Sequence, residues 1–263
     1  MNVSWAARLA PEPFRDFLPY AAPSALKVVR TTEVLSRALD VTRSLGDHAT
    51  RGREARRLQE SLDAAGLDGL RILPQPAPGL VASALSESER AVIGEHVLAL
   101  YFHLLRWDGP LFLDLRPRHF RCLPDGQLGF YPSGLFCRPD SEFMDRLRAL
   151  YRGFYREDRD ALTRGLELYA WQSSPPAPFA QRMERLLRAH FGAADSSGSS
   201  VTHFRIAHFR ATFDAIFQEV AASHAKLHPD LTFLGVELVG LYLTLESLNV
   251  PLDVRRAFDR AGP

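Results

Sequence analysis

The stretch GPLFLDLRPRHFRCLPDGQLGFYPSG, residues 109–134, decides the fold of this chain. Within it, residues 119–123 and 127–131 are predicted to form the two strands of a β-hairpin. A Pro-Asp-Gly turn at residues 124–126 joins them. Proline fixes φ at the second position of such a turn, and glycine accepts the positive φ that many tight turns need. The local chemistry of the turn therefore predicts the hairpin.

Two short segments flank the hairpin. Before it, an apolar entry at residues 111–113 leads into the polar loop 114–118, in which Asp114 is the one acidic residue. After it comes a Pro-Ser-Gly triplet at residues 132–134. We take these two segments as the candidate site.

Outside this stretch the chain is predicted to be largely helical, which gives an α+β, mostly helical fold. Ser86 is followed three residues later by Glu89, a capping box that opens a helix with a wide apolar stripe. A further strand is predicted at residues 70–73. Periodicity and stop signals predict helices within residues 24–47, 50–65, 86–105, 140–155, 158–169, 179–191, 203–222, 231–248 and 252–260.

The Pro-rich segment PQPAPG, residues 74–79, is the predicted domain boundary, because such segments form stiff, extended linkers. Residues 1–79 then form a small N-terminal part, made of an arm rich in proline and aromatic residues followed by two helices. Residues 80–263 form the main body. The arm, residues 1–23, either packs its aromatic side chains onto the domain or binds a partner.

The overall charge of the chain favours neither nucleic acid nor a membrane surface, since 32 Lys and Arg residues balance 31 Asp and Glu residues. The most apolar run, residues 231–248, contains Glu237 and Glu246, and we expect no transmembrane segment. Cys122 and Cys137 belong to no CxxC pair, which indicates reduced structural thiols in a cytoplasmic protein.

Residues 114–134 resemble the AarF/UbiB family of atypical, protein-kinase-like proteins. Members carry a stretch of the form HADPHPGN, a strand pair around a PDG-like turn, and then DFG. Anchored on the turn, Asp114 falls on the catalytic Asp and Pro117 on the second proline. His119 falls on the metal-binding Asn, and residues 132–134 fall on DFG. The resemblance implies a kinase-like C-lobe with a catalytic-loop hairpin.

Weaker similarities extend the resemblance to about residues 50–260. Residues 229–260 look like the family's C-terminal helical segment, and Arg53-Glu54-Ala55 is similar to the segment that supplies the helix-C Glu. Residues 25–29 resemble the strand that carries the nucleotide-binding Lys, which would be Lys27, although their surroundings indicate a helix. The family's KxGQ motif and Ala-rich nucleotide loop are absent, which implies a reduced N-lobe.

Phosphoryl transfer needs metal ions held by the DFG Asp and the catalytic-loop Asn. Here the DFG Asp position is Pro132, whose side chain has no ligand atom. The metal-binding Asn position is His119, which suits Mg²⁺ poorly because Mg²⁺ prefers oxygen ligands. The resemblance implies ATP with Mg²⁺ for an active member. In this chain we expect phosphoryl transfer to be lost or very slow and name no definite cofactor.

Each remaining site residue has two interpretations. Asp114 is either a retained general base or a loop residue paired with Arg116 or Arg118. Together with Arg121, these arginines either clamp phosphate directly or form a solvated, ion-paired loop. Glu54 is either an exposed helix residue or the structural partner of an arginine.

Three functional hypotheses follow. The first is a degenerate UbiB-like pseudokinase that acts as a binding or regulatory module. The family's link to ubiquinone and isoprenoid-lipid metabolism implies a protein partner and an isoprenoid lipid or quinone precursor nearby. The second is an ATP-dependent enzyme, an ATPase or small-molecule kinase, with rearranged metal ligands centred on Asp114. The third is a helical partner-binding protein.

Overall fold

The computed structural model describes residues 12–28, 31–76, 78–191 and 201–262. Helices account for 60% of the structure and strands for 7%, and the strands form small sheets. The prediction of an α+β, mostly helical fold is therefore confirmed. The first eleven residues of the predicted arm lie outside the described residues.

Eleven α-helices and seven short strands occur in the described residues. The helices are α1 Glu12–Arg15, α2 Ala25–Val28, α3 Thr31–Ser44, α4 His48–Ala64, α5 Glu87–Leu104, α6 Ser141–Tyr155, α7 Arg159–Leu166, α8 Phe179–Phe191, α9 Ile206–Ala222, α10 Leu231–Leu248 and α11 Val254–Arg260. The strands are β1 Leu70–Ile72, β2 Leu111–Phe112, β3 Phe120–Cys122, β4 Leu128–Phe130, β5 Phe136–Cys137, β6 Val201–Thr202 and β7 Leu252–Asp253. Each predicted helical segment contains at least one of these helices.

The chain packs into two compact units, each built from segments that are distant in sequence. The first unit contains the described residues within 1–42, 139–193 and 206–236. The second contains those within 43–138, 194–205 and 237–263. This division does not test the predicted boundary at residue 79, which stays a prediction.

The strands of the second unit form three small sheets. The predicted hairpin is present as β3 and β4, which pair antiparallel, and β1 pairs with β4 in parallel. At the turn, the amide of Gly126 donates to the carbonyl of Leu123 (3.0 Å), and Gly126 has a φ of 79°. Two further antiparallel pairs, β2 with β5 and β6 with β7, are not predicted from the sequence.

Helices α4 and α5 begin at side-chain caps. Asp47 accepts the amide of Thr50 at the start of α4, and the predicted capping box of Ser86 and Glu89 opens α5. The inward face of α4 buries Leu58 and Leu62, as its periodicity predicts. In α5, nearly every residue after the second turn is buried, so this helix passes through the core of the second unit.

The second unit also holds the C-terminal part of α10 against the loop that follows β2. A Cβ added to Gly240 would lie 2.9 Å from the amide nitrogen of Leu115, so only glycine permits this close approach. One turn later, the buried hydroxyl of Thr244 donates to the carbonyl oxygen of Leu115 (2.6 Å). Helix α10 therefore fixes the backbone of the loop that carries Asp114.

The first unit is helical in its described residues. Helices α6 and α7 pack together, and their N-termini are capped by Asp140 and Asp158. The buried carboxylate of Asp230 pairs with Arg37 of α3 and accepts the amide of Asp140 (3.1 Å). Because one buried carboxylate has partners from two segments, it ties α3 to the start of α6.

Helix α10 is long and apolar enough, by length and composition, to cross a membrane, although it contains two glutamates. It is the one such helix in the part of the chain that the structure describes. Two thirds of its 18 residues (67%) are buried within the protein. The core helix of a soluble protein has the same character, so no clear transmembrane segment is indicated.

Candidate functional site

The pairing of β2 with β5 brings the two candidate segments together. Beyond the paired residues, the amide of Leu113 donates to the carbonyl of Leu135 (2.9 Å). The loop that begins at Asp114 therefore lies beside the 132–134 turn, although almost twenty residues separate them in sequence. The sequence identifies both segments as parts of the candidate site. The pairing of β2 with β5 places them next to each other.

Asp114 is buried, with 3% of its surface exposed, and three cationic or ring nitrogen groups surround its carboxylate. Arg116 donates two hydrogen bonds, from Nε to Oδ1 (2.7 Å) and from Nη2 to Oδ2 (2.6 Å). Nη2 of Arg118 and Nε2 of His119 also lie 3.0 Å from Oδ2. A bidentate pair of this kind, with two hydrogen bonds between the groups, is the strongest arrangement of a guanidinium with a carboxylate.

These contacts determine the protonation state of Asp114. Burial alone would raise the pKa of its carboxyl group, but the hydrogen bonds from Arg116 and His119 and the nearby positive charge outweigh burial. The pKa is held well below its usual range. A carboxylate this weakly basic is a poor acceptor for a hydroxyl proton, since a general base works best with a pKa near the working pH. The geometry therefore favours the structural interpretation of Asp114.

His119 is engaged with Asp114 through Nε2. The same nitrogen lies 3.2 Å from Nε of Arg118, but one ring nitrogen cannot donate to the carboxylate and accept from the guanidinium at once. We favour donation to Asp114, because that contact is shorter and its acceptor is charged. The opposite nitrogen, Nδ1, is buried and has no hydrogen-bond partner within the described ranges.

The 132–134 turn supplies no carboxylate. Pro132 is buried, and the hydroxyl of Ser133 accepts the amide of Leu135 (3.3 Å), which closes the turn. Across the described ranges, no group of three or more His, Cys, Asp or Glu side chains is arranged to hold a metal ion. The predicted metal role of His119 thus has no set of companion ligands among those residues.

Glu54 lies in the second turn of α4 and is buried, so its interpretation as an exposed helix residue is wrong. Its Oε1 accepts Nη2 of Arg138 (2.7 Å), and its Oε2 accepts Nη1 of Arg57 (3.1 Å). The alternative, a structural partner of arginine, agrees with these contacts. Glu54 links α4 to the residue that follows β5, just beyond the 132–134 turn.

Lys27 lies in the one-turn helix α2, so residues 25–28 are helical and not a strand. Its side chain lies outside the described residues. The proposed nucleotide-binding role of Lys27 is therefore not tested, and it stays a prediction.

Two further residues complete the surroundings of His119. Tyr131 stacks against the His119 ring, with ring centroids 6.1 Å apart and planes inclined by 22°. The guanidinium of Arg51, from the first turn of α4, lies over the ring of Tyr131, 5.8 Å from its centroid. Arg118, His119, Tyr131 and Arg51 thus follow one another in a chain of contacts, which we call the arginine face.

Glu237 is a residue that the sequence reasoning missed. It lies one turn before Gly240 on α10, is completely buried, and neither of its carboxyl oxygens has a hydrogen-bond partner among the residues that the structure describes. Burial raises the pKa of its carboxyl group well above the usual value. The only signal in the sequence is an acidic residue inside a long apolar run, which does not show whether the residue faces the core.

No protein-family model matches the chain, and no curated protein matches its sequence. The resemblance to the AarF/UbiB family therefore stays a prediction from the motifs.

Proposed function

We propose that this protein is a degenerate, kinase-like binding or regulatory module that does not transfer phosphate. The observation that carries the proposal is the environment of Asp114. Its carboxylate oxygens are occupied by Arg116, Arg118 and His119, and the adjacent 132–134 turn offers no second carboxylate. A residue so occupied stabilises a loop and is not available to receive a proton.

The positive charges around Asp114 also disfavour the binding of a metal ion. A kinase needs metal-held charge to neutralise the transferred phosphoryl group, and this electrostatic effect is usually the largest contribution to catalysis. Here the positions on which the family's metal ligands fall are His119 and Pro132, and the guanidinium groups of Arg116 and Arg118 lie beside them on the carboxylate of Asp114. They repel a divalent cation, and they take up the carboxylate that could attract one.

The biological context of the proposal comes from the resemblance alone. The AarF/UbiB family implies a protein partner and a role near ubiquinone or isoprenoid-lipid metabolism. The similarities at residues 114–134, 229–260 and around Glu54 support that context. An ATP-dependent enzyme centred on Asp114 is the competing function, and the same experiment separates the two.

The test is a thermal-shift titration with ATP and ADP, each with EDTA, Mg²⁺ or Mn²⁺, together with an assay for phosphate release. A ligand that binds the folded state raises its apparent stability by mass action. We expect no metal-dependent rise in melting temperature and no release of phosphate above a buffer blank. A metal-dependent shift of several degrees with measurable turnover would overturn the proposal and favour the enzyme.

A further inference from the structure

We propose that His228 is a pH-sensitive switch at the start of helix α10. Its neutral ring holds the first turn of α10 in place, and protonation of the ring releases that turn together with helix α1. Every residue of the switch belongs to the first unit. The inference is independent of the proposed function, because it involves neither Asp114 nor the 132–134 turn.

The first step is the hydrogen bond that His228 accepts. The backbone amide of Asp230 donates to Nδ1 of the His228 ring (3.2 Å), and both residues are buried. Asp230 directly precedes α10, and its carbonyl oxygen accepts the amides of Phe233 and Leu234 (both 3.1 Å). A ring nitrogen accepts a hydrogen bond only while it carries no proton. The neutral form of His228 therefore fixes the residue from which α10 begins.

The second step is the packing around the ring. The ring of Trp171 meets it edge to face, with centroids 4.3 Å apart, and the ring of Phe143 from α6 has its centroid 4.9 Å away. Only 4% of His228 is exposed. An imidazolium in this position loses most of its contact with water, and burial of this kind disfavours the charged form.

The third step is the carboxylate of Asp230. Its Oδ2 lies 3.9 Å from Nδ1 of His228 and already accepts the amide of Asp140 (3.1 Å), while the same carboxylate pairs with Arg37. Protonation of Nδ1 places a donor opposite the Asp230 amide, which is itself a donor, so their hydrogen bond is lost. The charged ring then competes with the Asp140 amide for Oδ2. Both contacts that hold Asp230 in place are therefore weakened together.

Other charged groups around His228 act in both directions. Asp140 and Glu142 favour the charged ring, whereas Arg37 of α3 and Arg146 of α6 oppose it. Burial is the largest effect and lowers the pKa of the ring below its ordinary value of 6.5. A group whose pKa is lowered on folding contributes stability above its ordinary pKa, and this contribution is lost as the pH falls below that value. The switch therefore acts in mildly acidic solution.

Loosening of the first turn of α10 also affects helix α1. Phe233 in that turn packs edge to face against Phe14 of α1, with ring centroids 6.3 Å apart, and both side chains are buried. When this turn loosens, Phe14 loses the ring that it packs against. Acidic solution therefore uncovers two aromatic side chains that are buried at neutral pH.

The test is hydrogen–deuterium exchange of the full chain at pH 8 and pH 5.5, measured by mass spectrometry and corrected for the pH dependence of intrinsic exchange. We expect peptides within residues 228–236 and 12–20 to lose protection about fivefold or more at pH 5.5, which is the scale of one hydrogen bond. Peptides of α4, in the second unit, serve as an internal reference and should keep their protection.

Two variants assign the effect to His228. In His228→Asn the side-chain oxygen takes the place of Nδ1 as an acceptor that cannot be protonated. Because the smaller side chain packs less well, we expect lower protection of residues 228–236 at pH 8, but no further loss at pH 5.5. His224→Asn is the matched control, since His224 is an exposed residue of the same unit with a φ of 51°, which asparagine tolerates. This control should respond to acid as the wild type does.

Three results would overturn the inference. The first is equal protection of residues 228–236 in the wild type at both pH values, which needs no variant. The second is the same loss in acid for a folded His228→Asn, with the fold checked by circular dichroism. The third is an equal loss in α4, which indicates general unfolding. The pKa values of His96, His103 and His190 are also lowered, so overall stability alone does not test the switch.

Discussion

Two buried carboxyl groups in the same compact unit have opposite surroundings. Asp114 is 3% exposed and contacts two guanidinium groups and an imidazole, whereas Glu237 is completely buried and its oxygens accept no hydrogen bond from the described part of the chain. The pKa of Asp114 is accordingly lowered and that of Glu237 raised. Burial by itself therefore does not decide whether a carboxyl group is charged. The hydrogen-bond donors around the carboxyl group decide whether it is charged.

The largest expected effect comes from removing the charge of Asp114. Asp114→Asn removes a charged partner of the nearly buried guanidinium of Arg116. Breaking a buried ion pair on one side costs about 3 kcal/mol or more. We expect the free energy of unfolding at pH 7, measured by urea denaturation, to fall by about that amount.

The matched control is Asp68→Asn, which removes an exposed carboxylate in the same unit and should change stability by less than about 0.5 kcal/mol. If Asp114→Asn is no more destabilising than this control, the ion pairs of Asp114 do not stabilise the loop. The stated difference between Asp114 and Glu237 would then be wrong for Asp114.

A smaller effect of opposite sign is expected at Glu237. Glu237→Leu replaces two unpaired buried oxygens with apolar atoms of similar volume. An unsatisfied buried polar group costs about 1–3 kcal/mol, so the variant should unfold at a higher urea concentration, with a gain of about 1 kcal/mol or more.

Glu237→Gln serves as the companion variant, because it keeps two polar atoms at the same place and should gain little at pH 4.5 or below, where the carboxyl group of the wild type is neutral. A loss of stability in the leucine variant, with glutamine tolerated, would show that the carboxyl group has a partner in solution.

The third prediction concerns pH and follows from the opposite directions of the two pKa shifts. Asp114 has a lowered pKa in the folded state, so its contribution is present above its ordinary value of 3.8 and declines as the pH falls below it. Glu237 has a raised pKa, so its contribution is greatest below its ordinary value of 4.5 and declines as the pH rises above it.

Urea denaturation between pH 3 and pH 9 measures both effects as differences from the wild type. The deficit of Asp114→Asn should shrink toward pH 3, and Glu237→Gln should gain on the wild type as the pH rises from 4.5. Parallel curves for wild type and variants would contradict the assigned directions.

The hairpin and the helix caps could be predicted because their signals are local. The turn around Gly126 and the capping box of Ser86 and Glu89 each depend on residues within a few positions of one another. The pairs β2 with β5 and β6 with β7 could not be predicted in this way. Each joins two-residue strands that are far apart in sequence and carry no alternating pattern.

The candidate site also contains some contacts that could be predicted from the sequence and others that could not. The spacing of Asp114, Arg116 and Arg118 already indicates an ion pair as one interpretation, and the structure shows that pair. The contact of His119 with Asp114 does not follow from the sequence, because the resemblance places His119 at a metal-binding position. The burial of the Glu237 carboxyl group could not be predicted either, since the sequence does not show which groups surround an acidic residue on an apolar helix.

The contact between Thr244 and Leu115 has a consequence for protein synthesis. The two residues are 129 positions apart, so the hydrogen bond that holds the loop around Asp114 forms only after Thr244 has been made. Contacts of such long sequence separation form late and slowly. On the ribosome the hairpin can close as soon as it emerges, but the neighbouring loop waits for α10. A growing chain therefore carries its Asp114 loop without this contact until α10 has been made.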